Sequence, residues 1–237
     1  MKLDVLAFGA HPDDVELACS GTMLKFISEG KSVGIIDLTK GELGTRGTEH
    51  TRKQEAADAA GILGISAREN LDLGDGTFDL SHANKLRVIE MIRKYQPTLV
   101  LANAANDRHV DHPRAAQLVT EAAFLSGLTK IETIVDGHKQ IAFRPAHLYH
   151  YIQHYHITPD FVVDITPHFA TKMRSILAYK TQFYNPDSEE KDTPISSKRF
   201  LDFLEARCRE MGEAIGVEFG EGFTSNTPLN YDLASLL

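Results

Sequence analysis

The 237 residues predict an α/β fold: a Rossmann-like, doubly wound and mostly parallel sheet with helices on both faces and a candidate active site at the C-terminal ends of strands 1 and 4. Three observations carry this expectation. Short apolar runs alternate with helical patterns from the N-terminus to about residue 125. The links between them are short and marked by glycine or proline. Clusters of histidine and aspartate close the first and fourth apolar runs.

Residues 3–8 read as a short buried strand that Gly9 breaks. Across 15–29, Val15, Leu17, Ala18, Leu24, Phe26 and Ile27 recur at helical spacing, and Gly30 is the stop. Residues 32–39 form a second strand, followed by a glycine-rich loop over 41–47. A helix over 49–63 ends at Gly64, a short strand covers 69–73, and a helix over 84–95 closes before Pro97. Residues 98–102 are the fourth strand. The helix over 113–125 carries Pro113 in its first turn, where a missing N–H costs nothing. Further on, 147–157 and 161–165 read as strands, and 167–182 and 198–215 as helices around a polar loop, 184–197. With no repeat and no linker, one domain is expected over 1–237, its Rossmann-like core at about 1–165 and a helical and loop part at about 166–237.

An apolar content of 42% is enough for one core, and a net charge of −8 argues against nucleic acid or an anionic membrane as partner. No apolar run approaches the ~20 residues of a membrane span. The chain starts directly in Lys2-Leu3-Asp4-Val5, so a cytoplasmic protein is expected. Cys19 and Cys208 are far apart and form no CxxC, which fits reduced, buried thiols.

The first strand runs into Ala10-His11-Pro12-Asp13-Asp14, and the fourth into Asp107-Arg108-His109-Val110-Asp111-His112. Adjacent carboxylates at the mouth of a core strand repel unless a positive charge sits between them and their neighbours. An Asp-Asp pair also serves at a helix start, Asp13 capping and Asp14 lying in the first turn. The topology decides in favour of a site, because in a doubly wound sheet the loops after strands 1 and 4 face each other across the crevice. Two histidines and a carboxylate with an open fourth position describe a hydrolytic zinc site. Each pair, Asp13/Asp14 and His109/His112, supplies one ligand and one spare group for acid–base work, and spacing alone leaves open which is which.

Ala10 to Asp14 with Glu16, then Gly21-Thr22, resembles the leading motif of the LmbE-like (PIG-L) de-N-acetylases. His109-Val110-Asp111-His112 resembles their second motif, with valine where proline is common. The middle section 39–47 with Arg52 and Glu55, then Phe161 to Asp164 and Gly220 to Phe223, extends the likeness over nearly the whole chain. Length and tail are most similar to the bacillithiol-pathway enzymes that deacetylate N-acetylglucosaminyl-malate. The resemblance implies a metal-dependent hydrolase with one Zn2+ per chain, Fe2+ or Co2+ also fitting the ligand set. It implies His11, Asp14 and His112 as ligands, Asp13 as base, and His109, oriented by Asp111, as the group that stabilises the tetrahedral intermediate and helps protonate the amine. Arg52, with Arg46 and Arg108 behind it, is implied for substrate binding, and Tyr184 for the carbonyl. The substrate is then a small N-acetylated glucosamine conjugate and the assembly a homo-oligomer, trimer or hexamer. Rival readings are a deacetylase of N-acetylglucosamine oligosaccharides and a sugar- or nucleotide-binding module without turnover.

His147, His150, His154 and His156 lack nearby carboxylates or cysteines and are not read as a second metal site. A subunit contact with Tyr149, Tyr151 and Tyr155 is expected there instead. The loop 41–47 lacks the Gly-Lys-Ser/Thr ending of a phosphate loop.

Overall fold

The first apolar run becomes β1 (Val5–Gly9), buried at every residue. In the computed structural model, which describes residues 1–229, β1 is the middle of the parallel part of the sheet. Helix α1 (Asp14–Ser28) leads to β2 (Val33–Asp37), α2 (Glu49–Leu63) to β3 (Ala67–Asn70), and α3 (His82–Tyr95) to β4 (Leu99–Ala102). Helix α4 (Asp111–Ser126) and a small hairpin of β5 (Ile134–Val135) and β6 (His138–Lys139) precede β7 (His147–Tyr151). The chain ends through β8 (Phe161–Asp164), α5 (Phe169–Leu177), α6 (Lys198–Glu213) and β9 (Gly220–Ser225). Sheet order is β3-β2-β1-β4-β7-β9-β8, parallel from β3 through β7, with β9 antiparallel to both of its neighbours.

Period-two alternation divides the core between the faces. Leu6 and Phe8 of β1, with Ile36, Val100 and Ala102, pack on Val88, Ile89 and Ile92 of α3 and Leu118, Val119 and Ala122 of α4. Val5 and Ala7, with Val33, Ile35 and Leu101, pack on Val15, Ala18, Cys19 and Met23 of α1. Each buried Val, Leu, Ile, Phe or Met among them contributes about 1.5–3 kcal/mol by burial. Helix α2 begins with a Thr48/Thr51 capping box and ends at Gly64 with φ 73, so both ends are where the sequence puts them.

Several elements depart from expectation, among them the strand read over 69–73, which lies at Ala67–Asn70, and the β5–β6 hairpin, which no sequence pattern announced. The strand read over 147–157 stops at Tyr151, because the Asp107 carboxylate accepts the backbone N–H groups of His154 (2.9 Å) and Tyr155 (3.0 Å) and draws that segment out of the ladder. Tyr151 is fully buried and donates its hydroxyl to the Phe8 carbonyl at 2.7 Å, so it cannot serve the subunit contact assigned to it. The helix read over 167–182 divides into a 3-10 turn at Thr166–His168 and α5. Strand β9 went unread because Gly-Glu-Gly is poor strand sequence. Its glycines are required by packing: a Cβ at Gly220 would meet Val162 at 2.6 Å, and one at Gly222 would meet Met211 at 2.9 Å.

Among the described residues, no helix is long and apolar enough to cross a membrane. Both cysteines are buried and free.

Candidate active site

Because β2 and β4 flank β1 on opposite sides, strand order reverses there, and the loops after β1 and β4 meet at the switch point. They line a cavity of about 370 Å³ whose walls include His11, Asp13, Asp14, His109 and His112.

Asp14 is the most heavily tied of these. Its Oδ2 accepts the His11 backbone N–H at 3.0 Å and the Asn103 amide at 3.0 Å. Its Oδ1 accepts the Gln153 amide at 3.1 Å and lies 3.1 Å from His112 Nε2. Asn103 also accepts the Ala10 N–H at 3.0 Å, which fastens the first loop to the end of β4. The other nitrogen of His112, Nδ1, is hydrogen-bonded to Asp107. His11 turns Nδ1 toward Asp14 Oδ2 (3.6 Å), while its Nε2 faces Asp75 Oδ1 (3.0 Å) and Asp111 Oδ2 (3.3 Å). The rings of His11, His109 and His112 crowd together, with centroids 4.6 to 5.7 Å apart.

Asp13 caps nothing. Its φ of 121 is backbone that favours glycine, and its side chain makes no cap hydrogen bond. Such a residue costs on the order of 1–3 kcal/mol and persists where neighbours over-determine it. Here Arg52 does so, donating from Nη2 to the Pro12 carbonyl at 2.5 Å and to Asp13 Oδ2 at 3.3 Å.

The charges are strongly interdependent. Burial pushes the Asp13 carboxyl well above the usual range, with Arg52 opposing. Burial works against Asp14 ionising too, but His112 and His11 outweigh it and hold its carboxyl low. His112 rises to about 9: burial opposes the charge, and Asp14 and Asp107 prevail. His109 is pushed down by burial and by the positive charge of His11 and His112. Its Nδ1 accepts the Asp111 backbone N–H at 3.3 Å, which leaves the ring proton of the neutral form on Nε2.

The donor set fits a divalent cation. Each histidine has one nitrogen engaged by carboxylate, His112 through Asp107 and His11 through Asp75 and Asp111, which is the support that metal-ligating imidazoles use. Their other nitrogens turn to the two oxygens of Asp14. Ligand atoms of His11, His109 and His112 lie within 4.8 Å of one another, as do those of His11, Asp75 and Asp111, whereas the expected ligand Asp14 belongs to neither cluster and meets His11 at 3.6 Å and His112 at 3.1 Å.

Other expected site residues are distributed unevenly. Arg52 lines the cavity and is buried, not spread on a solvated helix face. Arg108 is exposed and lines the cavity. Arg46 is buried but bonds Ser188 and Glu190, away from the cavity lining. Tyr184 is 41% exposed and outside the lining. Asp111 corrects an expectation: its carboxylate goes to His11, to the Gly76 N–H (2.8 Å) and to Arg114 (2.5 Å), so it supports His11 and touches His109 only through the backbone. Asp75, Asn103 and Gln153 escaped the sequence reading. Their signal was positional, since each follows the C-terminal end of a strand.

The family model described as PIG-L, GlcNAc-PI de-N-acetylase, matches residues 6–123, the span that contains both loops. The chain belongs to the PIG-L family. A conserved protein of Thermus thermophilus superposes with a TM-score of 0.86 at 33% identity, covering 97% of each chain. Diacetylchitobiose deacetylase of Thermococcus kodakarensis is 28% identical over 191 residues, 76% of this chain and 70% of that protein. The 4-oxalmesaconate hydratase of Pseudomonas putida is 28% identical over 187 residues, 72% and 70% of the two chains. A probable N-acetyl-alpha-D-glucosaminyl L-malate deacetylase of Bacillus anthracis is 28% identical over 131 residues, 50% of this chain and 58% of that one. The L-malate deacetylase relative is thus no more similar than the chitobiose enzyme, and the finer resemblance does not follow from identity.

Proposed function

We propose that the chain hydrolyses the acetamide of an N-acetylglucosamine conjugate, N-acetylglucosaminyl-malate foremost, releasing acetate and the free amine. The observation that carries this is Asp13, a buried carboxylate in strained backbone, set beside the grip formed by His11, Asp14 and His112. Those three residues would hold a divalent cation, zinc in the first place and Fe2+ or Co2+ as alternatives, which when bound acidifies water and polarises the acetyl carbonyl.

Asp13 takes a proton from the attacking water as its oxygen adds to the acyl carbon, and passes it to the departing nitrogen as the C–N bond breaks. A carboxyl raised by burial is suited to both transfers, because its affinity for the proton approaches that of its partners. Arg52 keeps it in place and stays within reach of substrate on the cavity wall. His109 presents Nε2–H to the oxygen that gains charge in the tetrahedral adduct, and its lowered pKa keeps the ring a neutral donor. Family membership and the kinship to two sugar deacetylases support this reading over a binding module.

The test is acetate release from N-acetylglucosaminyl-malate and from diacetylchitobiose, beside elemental analysis of the purified protein. Acetate from either, abolished by a chelator and restored by zinc, is the expected result. No acetate from either, or hydration of 4-oxalmesaconate in its place, would overturn the proposal.

A further inference from the structure

Three arginines line the cavity, and their surroundings differ. Arg52 is committed to Pro12 and Asp13. Arg108 and Arg207 have no carboxylate within ion-pair distance among the described residues. Arg207, on α6, is half-buried, and its one hydrogen bond is a long contact of 3.4 Å from Nη2 to the Leu17 carbonyl. Its guanidinium carbon lies 5.5 Å from the Phe203 ring centre, and Phe203 packs on the His154 ring at 5.3 Å. A half-buried cation with neither counter-ion nor a full set of acceptors is costly, and most of its fork of N–H donors is unspent. Arg207 also borders a smaller hollow of about 150 Å³ with His154 and Phe203, whose lining includes none of His11, Asp14 and His112.

Arg108 reaches the same region from the other loop. It follows Asp107, whose carboxylate holds the backbone of His154 and Tyr155. His154 reports both cations: burial lowers its pKa first, and Arg108 and Arg207 lower it further. Arg108, exposed, and Arg207, half-buried, thus border the same cavity as His154, and neither has a carboxylate within ion-pair distance among the described residues.

We propose that Arg207, together with Arg108, is the seat for an oxyanion, carboxylate or phosphate, on the group attached to the glucosamine, and so selects anionic conjugates over neutral oligosaccharides. This rests on the deacetylase reading for the identity of the sugar, but not for the existence of the seat. Arg52 already faces a carboxylate, Asp13, through Nη2, whereas Arg207 has none within ion-pair distance among the described residues. Planar forks match carboxylate and phosphate oxygens.

The metal-loaded protein is assayed with three N-acetylglucosaminides: the malyl glycoside, the 1-phosphate and the neutral methyl glycoside. In the unaltered protein kcat/KM is expected to be higher for an anionic glycoside than for the methyl one, the higher of the first two naming the anion. In Arg207→Gln the ratio of anionic to methyl kcat/KM falls about tenfold or more, mainly through KM, and Arg207→Lys recovers part of it. A ratio left unchanged, or no anionic preference in the unaltered protein, overturns the proposal. If Arg207→Gln fails to fold, Arg108→Gln and Arg207→Lys carry the same ratio test. If no glycoside yields acetate, the deacetylase reading fails, and the seat is then judged by calorimetric titration with the same three glycosides. Selective weakening of the anionic ones by Arg207→Gln upholds it, and equal or absent binding overturns it.

Discussion

Asp13 and Asp14 are chemically identical neighbours, and their surroundings shift their carboxyls in opposite directions. Asp14 receives donors from His11, Asn103 and Gln153 and faces His112, so its negative charge is fully compensated. Asp13 has one cation, Arg52, and is otherwise desolvated. In Asp13→Asn, acetate release is expected to fall by about 10²–10⁴-fold while elemental analysis still finds the metal. In His11→Ala both are lost. Loss of metal from Asp13→Asn would exchange the roles of the two aspartates. Arg52 could not have been read as buried from its position on a polar helix; it is drawn inward by Pro12 and Asp13, forty residues away in the chain.

Helix α1 brings the first loop to the site, and its position along its axis is fixed by buried charge. Lys172 donates to the Glu16 and Leu17 carbonyls at 3.1 and 2.9 Å, and Glu221 accepts the Gly21 and Thr22 N–H groups at 2.9 and 2.7 Å. The two also pair with each other at 2.8 Å. On the neighbouring side, Arg68 bonds Glu16 at 2.5 Å and both oxygens of Asp37 at 2.8 and 2.9 Å, tying α1 to β2 and β3. Replacing Arg68 by Met leaves two buried carboxylates without their cation. A loss of about 3–5 kcal/mol is expected from urea unfolding. At the other end of β1, Asp4 accepts the Ser32 N–H at 2.7 Å and its hydroxyl at 2.8 Å, and these bonds hold its carboxyl below the ordinary range. A lowered carboxyl stabilises the fold above its unfolded value of about 3.9 and loses that contribution as pH falls through the folded value. Melting temperatures of the unaltered protein and Asp4→Asn are therefore expected to differ at neutral pH and to converge in acid.

On the scale of the molecule, the site joins segments from β1, β3, β4 and β7, held by backbone-to-carboxylate bonds and by the acidic cradle around His11 and His112. A cation bound there would bridge chain regions about a hundred residues apart and stabilise only the folded state. By mass action, saturation at a thousand times Kd is worth about 4 kcal/mol. Chelation is expected to lower Tm by several degrees and zinc to restore it, read by calorimetry. An unchanged Tm would mean that the loops are held without the ion.

Strands β1, β2 and β4 were legible because they are short, mostly apolar runs, and the helices between them carry their own caps and stops, as at Thr48 and Gly64. Strand β9 was not, since Gly220 and Gly222 record a close approach of neighbours that no local pattern reveals. The short link between strand end and motif told where His11, Asp13, Asp14, His109 and His112 would gather. The supporting carboxylates were legible only in space. Asp111 was expected beside His109 and instead faces His11, and Asp75 and Gln153 arrive from loops with no motif of their own. By itself the sequence determined the fold class and the residues with chemistry to offer, because local periodicity and strand-end position are properties of the chain. Tertiary structure decided which of those residues are charged, paired or left with open donors, because that depends on neighbours that only folding brings within a few ångströms.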